Sequence, residues 1–167
     1  MNYFPRVLGA VVLVSAVALA SRAKGEDGEH ETKSLARAHA ASPLEAKWQQ
    51  ECSGCHIAYA PALLPPKSWR LVMAGLGKHF GVDASLTATE SAQITDFLVR
   101  NGSSRWSGAA APLRITETRG FLKEHRGDEL PADAFTRPAV KSAANCQACH
   151  PGAAKGDFNE DRIRIPD

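Results

Sequence analysis

Two five-residue stretches constrain this chain more than anything else in it: Cys52-Ser53-Gly54-Cys55-His56 and Cys146-Gln147-Ala148-Cys149-His150. Both read C-x-x-C-H, and together they use all four cysteines. The spacing carries a chemistry. Two thiols three positions apart can add to the two vinyl groups along one edge of a porphyrin, and a histidine directly after the second falls under the iron as a nitrogen ligand. Other uses of paired cysteines fit less well. A thioredoxin-like redox pair belongs in a βαβ pattern, which is absent. A zinc site does not need the same histidine after both motifs, and a disulfide framework leaves that histidine unexplained. Two covalently attached c-type haems are therefore expected. Cys52, Cys55 and His56 hold the first; Cys146, Cys149 and His150 hold the second.

The start of the 167-residue chain reads as an export signal. Arg6 precedes an unbroken small and apolar run over residues 7–20, and Ala18-Leu19-Ala20 satisfies the small-x-small cleavage rule, with Ser21-Arg22-Ala23 as a second site. The run is short of the roughly 20 residues a membrane span needs, so a signal peptide over residues 1–20 is expected ahead of an uncleaved anchor. That address is the periplasm, which suits the cysteines, since c-type haem is attached outside the bacterial cytoplasm. Residues 21–44 are polar and charged and read as a flexible segment. Residues 45–167 then form one domain, with haem lobes at about 45–101 and 102–167. The formal charge is only +2, and no basic stripe exists, which excludes a nucleic-acid partner.

The rest of the pattern is helical, with long loops between. A helix is expected from near Pro43 through Trp48 into Cys52, followed by a proline-stiffened loop over residues 59–66. Ser68 is expected to cap a helix running to about Phe80, with Trp69, Val72, Met73, Leu76 and Phe80 on one apolar stripe and Gly81 at its end. Thr87-Ala88-Thr89-Glu90 is a capping box that opens a helix through Ile94, Phe97 and Leu98 to Asn101-Gly102. A third helix is expected over about 117–125, with Phe121, Leu122 and His125 on a shared face. Ser142 is expected to start a short helix bearing the second motif, and the tail at 162–166 to lie as an extended strip on the body. The fold class is thus mainly α, with the two haems forming much of the core of a small chain.

Each iron needs a sixth ligand or stays open. Past the signal run the chain has one methionine, Met73, in the middle of the apolar stripe, where it reads as core. His79 and His125 remain as distal candidates on predicted helices, with His30 and His39 in the polar segment as weaker ones. The order is motif, His79, His125, motif, which is a mirror and not a tandem repeat. Pairing each histidine with the sequence-nearest motif gives His56 with His79 and His150 with His125; pairing with the other motif stays open at this point.

With these residues in hand, the chain resembles the dihaem cytochrome c family of bacteria. The likeness spans about residues 48–166. It rests on Glu51-Cys52-Ser53-Gly54-Cys55-His56, Tyr59-x-Pro61-x-Leu63-Leu64-Pro65, Ser68-Trp69-Arg70, His79-Phe80-Gly81, Ile115-Thr116-Glu117-Thr118 and Asn145-Cys146-Gln147-Ala148-Cys149-His150. The resemblance implies a small, mainly helical periplasmic electron carrier. It places axial iron ligation on His56, His79, His125 and His150. The implied partners are b-type membrane cytochromes or a quinol-linked donor, and a small oxygen-binding c-type haem protein or a reductase; no small-molecule substrate and no catalytic residue are expected. Two other classes stand beside it: a haem enzyme or gas sensor with one labile distal ligand, and an electron-transfer subunit of a larger reductase. Gly120 departs from the bulky residue expected beside Phe121.

Overall fold

Serine and proline open the first helix. Ser42 caps α1 (Pro43–Cys52) by accepting a hydrogen bond from the Glu45 N–H at 3.1 Å, and Pro43 occupies the first helical position, where no N–H is needed. The computed structural model is described over residues 42–105, 107–108, 110–127 and 130–167. The export signal, all but the last residues of the polar segment, and His30 and His39 lie outside the described residues.

Four further α-helices follow: α2 (Pro66–Ala74), α3 (Ala88–Asn101), α4 (Arg119–Glu124) and α5 (Cys146–Cys149). Single 3₁₀ turns punctuate the connections, among them Pro61–Leu63, Leu76–Lys78 and Ile115–Glu117. Among the described residues there is no strand, only an isolated antiparallel bridge between His79 and Val82. None of the described helices is long and apolar enough to cross a membrane.

The first lobe is a three-helix cluster in which α3 packs across α1 and α2. Its inward positions are those of a 3.6-residue stripe: Ile94, Phe97 and Leu98 of α3 meet Trp48 of α1 and Trp69 and Met73 of α2, with Leu64 from the proline loop. Trp48 and Phe97 touch as tilted rings with centroids 5.3 Å apart. The capping box of α3 forms as its sequence implies, and Glu90 also reaches Lys47 of α1 at 2.8 Å. The proline loop is tied down twice. The Trp69 indole N–H donates to the Pro61 carbonyl at 2.7 Å, and the Ser103 N–H to that of Leu64 at 2.9 Å. Gly102 suits the second contact, since a Cβ there would sit 3.0 Å from the Leu64 carbonyl oxygen and press it outward.

Three helix boundaries differ from expectation. α2 begins at Pro66, whose fixed φ suits a first helical position, so Ser68 lies inside the helix, fully buried, rather than capping it. α2 also stops at Ala74 and does not reach Phe80; Gly75 and Gly77 fall within three residues, and each costs a helix about 1 kcal/mol against alanine. Phe80 accordingly leaves the apolar stripe and is 46 % exposed. α4 starts only after Thr118, whose hydroxyl accepts from the Phe121 N–H, and ends before His125; Leu122 points outward instead of sharing the His125 face. α5 is one turn beginning at Cys146, with a turn over 142–145 ahead of it.

The second lobe is built differently. Its buried apolar side chains are small and scattered, namely Ala134, Val140 and Ala153, and among the described residues they form no cluster like that of the first lobe. Backbone and guanidinium bonds hold it instead. The tail does lie against the body: the Arg164 N–H donates to the Cys149 carbonyl at 2.9 Å, and Arg137 to the Pro166 carbonyl at 2.7 Å.

Candidate metal centres

Each motif is carried on the end of a helix. In the first, Cys52 is the last residue of α1, residues 53–55 turn, and His56 follows. In the second, Cys146 and Cys149 are the ends of one helical turn, so both thiols lie on one side of it, and His150 closes the turn by donating its N–H to the Cys146 carbonyl at 2.8 Å. All four thiols are free. Burial pushes the Cys52 thiol up to about 11, with Glu51 a second cause, and burial likewise raises Cys146 and Cys149. A thiol–disulfide redox pair needs the opposite, a depressed thiol that is thiolate at neutral pH.

The histidines meet in two pairs. The rings of His56 and His79 lie 6.1 Å apart between centroids and are inclined at 33°. Those of His125 and His150 are also 6.1 Å apart, inclined at 64°. Each motif histidine thus faces the candidate nearest to it in sequence. Rings that pack in this molecule come closer: Phe121 stacks on His125 at 4.0 Å and Tyr59 on His56 at 4.6 Å. A metal ion held by two imidazole nitrogens, each at about 2 Å, sets ring centres about 6 Å apart, so the spacing fits an ion between each pair.

Tautomers agree with that fit. His56 Nδ1 lies 2.6 Å from the Ile57 carbonyl and His125 Nδ1 lies 2.9 Å from that of Phe121. A carbonyl only accepts, so each Nδ1 carries the proton and each Nε2 keeps its lone pair for a metal. Burial lowers His79, as do the neighbouring His56 and Arg114, and burial with His125 lowers His150. Both shifts favour the neutral, ligating imidazole. Among the described residues no group of three or more His, Cys, Asp or Glu side chains is placed around one ion. Two imidazoles alone cannot complete a zinc site, whereas a porphyrin brings four nitrogens of its own. The residues present therefore fit two haems, each with a thiol pair at its edge.

His79 is positioned by a turn and not by the helix expected for it. It ends the 3₁₀ turn Leu76–Lys78, donates its N–H to Leu76 and accepts from the Val82 N–H at 3.1 Å. Several neighbours were invisible as site residues in the sequence. Tyr59 stacks on His56 and donates its hydroxyl to the Ala144 carbonyl at 2.7 Å, joining the first motif to the loop before the second. Burial, with Cys146 a second cause, raises the Tyr59 phenol, so it stays a donor at neutral pH. Phe135 and Phe158 flank His125 and His150. The linear clues were Tyr59, Phe80 and Phe121, each within four positions of a candidate histidine; Phe135 and Phe158 lie ten and eight positions from His125 and His150. A cavity of about 600 Å³ is lined by Cys55 and His56 of the first motif and Gln147 of the second, so the two attachment sites are neighbours.

Comparison with known proteins agrees with the geometry. The family model described as dihaem cytochrome c matches residues 48–158. A crystal structure of a dihaem c-type cytochrome from Shewanella baltica OS155 is 38% identical with a TM-score of 0.66, over 75% of this chain and 95% of that one. A dihaem cytochrome c from Rhodobacter sphaeroides is 39% identical with a TM-score of 0.62, over 71% of this chain and 100% of the other. A second structure from that organism is 41% identical with a TM-score of 0.60, over 71% and 98%. No curated protein matches.

Proposed function

The chain belongs to the dihaem cytochrome c family and carries two c-type haems, and from that premise we propose that it is an electron carrier whose two irons are both bis-histidine ligated. The observation that carries the ligand assignment is the pair of 6.1 Å ring spacings, His56 to His79 and His125 to His150. Each haem, when bound, supplies an iron that cycles between ferric and ferrous. The chain's own part is to fix two nitrogen ligands per iron, to anchor the porphyrin edge through Cys52 and Cys55 or Cys146 and Cys149, and to keep water from the metal. With two histidines held to each iron, no place would be left there for a substrate, so the centres would pass electrons and make no bond at the metal. The signal-like run at residues 7–20 supports a periplasmic location for this carrier. A b-type membrane cytochrome or quinol-linked donor on one side, and a soluble haem protein or reductase on the other, are the partners this reading implies.

Two measurements test it. The reduced holoprotein mixed with carbon monoxide should keep its spectrum over the mixing time; rapid, stoichiometric binding at one haem would favour a gas-binding or catalytic centre. Replacing His79 by methionine should keep both haems, because the cysteines are untouched, and raise the potential of one of them, because a thioether favours ferrous iron over a second imidazole. Two unchanged potentials would remove His79 from the ligand set.

A further inference from the structure

The turn that carries His79 is strained at its next residue. Phe80 has φ 49° and Gly81 φ 101°, with the Val82 N–H bonded back to the His79 carbonyl, which is the pattern of a type I′ turn. That turn prefers Asn-Gly. Glycine is where it belongs, but a bulky phenylalanine at the first central position is an outlier that persists only when its surroundings hold it. The surroundings are specific. The edge of the Phe80 ring meets His79, with centroids 4.8 Å apart at 62°, and the Arg114 guanidinium lies over the ring at 4.0 Å from its centre. Arg114 lies beyond α3 in the chain, next to Ile115, which packs against the core of the three-helix cluster. It immediately precedes the 3₁₀ turn Ile115–Glu117 and is flanked by Glu117 at 3.8 Å.

We infer that Arg114 is a positioning residue for the first iron: its guanidinium pins the Phe80 ring, and the ring keeps His79 seated as the distal ligand. The inference rests on His79 being that ligand. A cation over an aromatic face attracts it through the ring quadrupole, and at a half-exposed ring this biases a two-state equilibrium about two- to fivefold. The two states are His79 on the iron and His79 swung away. A small ligand that binds only the open state does so in proportion to its population, so carbon monoxide reports the latch directly.

The test measures the rate of carbon monoxide binding to the reduced dihaem protein, at the haem whose potential moves in His79→Met. Arg114→Gln should speed binding at that haem about two- to fivefold and leave the other unchanged. Arg114→Lys, which keeps the charge without the planar guanidinium, should fall between. Phe80→Gly is the discriminating variant, because glycine relieves the positive φ while removing the ring on which Arg114 acts. It should also open the haem to carbon monoxide, and it carries the test if Arg114→Gln fails to assemble with two haems by mass. Wild-type rates in Arg114→Gln or in Phe80→Gly overturn the latch. A wild-type protein that binds carbon monoxide within the mixing time, or potentials unmoved in His79→Met, would instead overturn the ligand assignment beneath it.

Discussion

The two imidazole pairs share a spacing but not a tilt: 33° for His56 and His79, 64° for His125 and His150. The aromatic rings packed against each imidazole set its tilt. Tyr59 and Phe80 lie against the rings of the first pair, and Phe121 stacks on His125 with an interplanar angle of 10°. With both pairs ligating iron, unequal tilts split the metal orbitals unequally. The oxidised protein should then give two low-spin electron paramagnetic resonance signals, the more perpendicular pair producing the larger principal g value. His125→Met should abolish that signal and spare the other; a single signal accounting for both irons would contradict the tilts. The two attachment motifs were legible in the residue string because cysteine and histidine spacing is chemistry written locally. The tilts and Tyr59 were not, since Tyr59 reaches a carbonyl 85 positions away.

Among the elements, α3 was the most legible because its start signal and its buried stripe are both local. Its N-cap makes two contacts testable. Thr87→Ala should cost about 1 kcal/mol in denaturant unfolding, the usual loss for a cap oxygen. Glu90 is held down at about 2, below its ordinary 4.5, chiefly by the hydrogen bond from Lys47, then by Thr87. A depressed carboxylate contributes stability that is complete above 4.5 and is lost as the pH falls through about 2. Glu90→Gln should flatten the acid-unfolding curve in that window and leave its slope near neutrality unchanged; an unaltered acid limb would show that the Lys47 contact is inert. α2 is shorter than its apolar stripe implies, for a physical reason. A stripe at i, i+3, i+4, i+7 and i+11 can be continued on paper through two glycines, but the backbone prefers to leave the helix there. That early exit puts His79 on a turn, where its direction depends on Arg114 from beyond α3.

At the scale of the molecule, the lobes are unequal. The first lobe has a protein core from Trp48 to Leu98, while the buried apolar residues described in the second are small and scattered. The haem-free chain exposed to dilute protease should be cut first within residues 130–167, leaving a resistant fragment that contains residues 43–101; equal cutting in both lobes would argue against the asymmetry. Unequal cores also impose an order of assembly. The first lobe has what it needs to close before any cofactor arrives, and closing half-buries the Cys52 thiol, carrying it to about 11, while Cys55 stays exposed. The second lobe must wait, so its thiols stay open to attachment for longer. Folding and cofactor loading are therefore competitors at the first motif and allies at the second. When attachment is slowed, half-loaded chains should accumulate with the second motif filled and the first one bare, a distinction that peptide mass mapping reads directly.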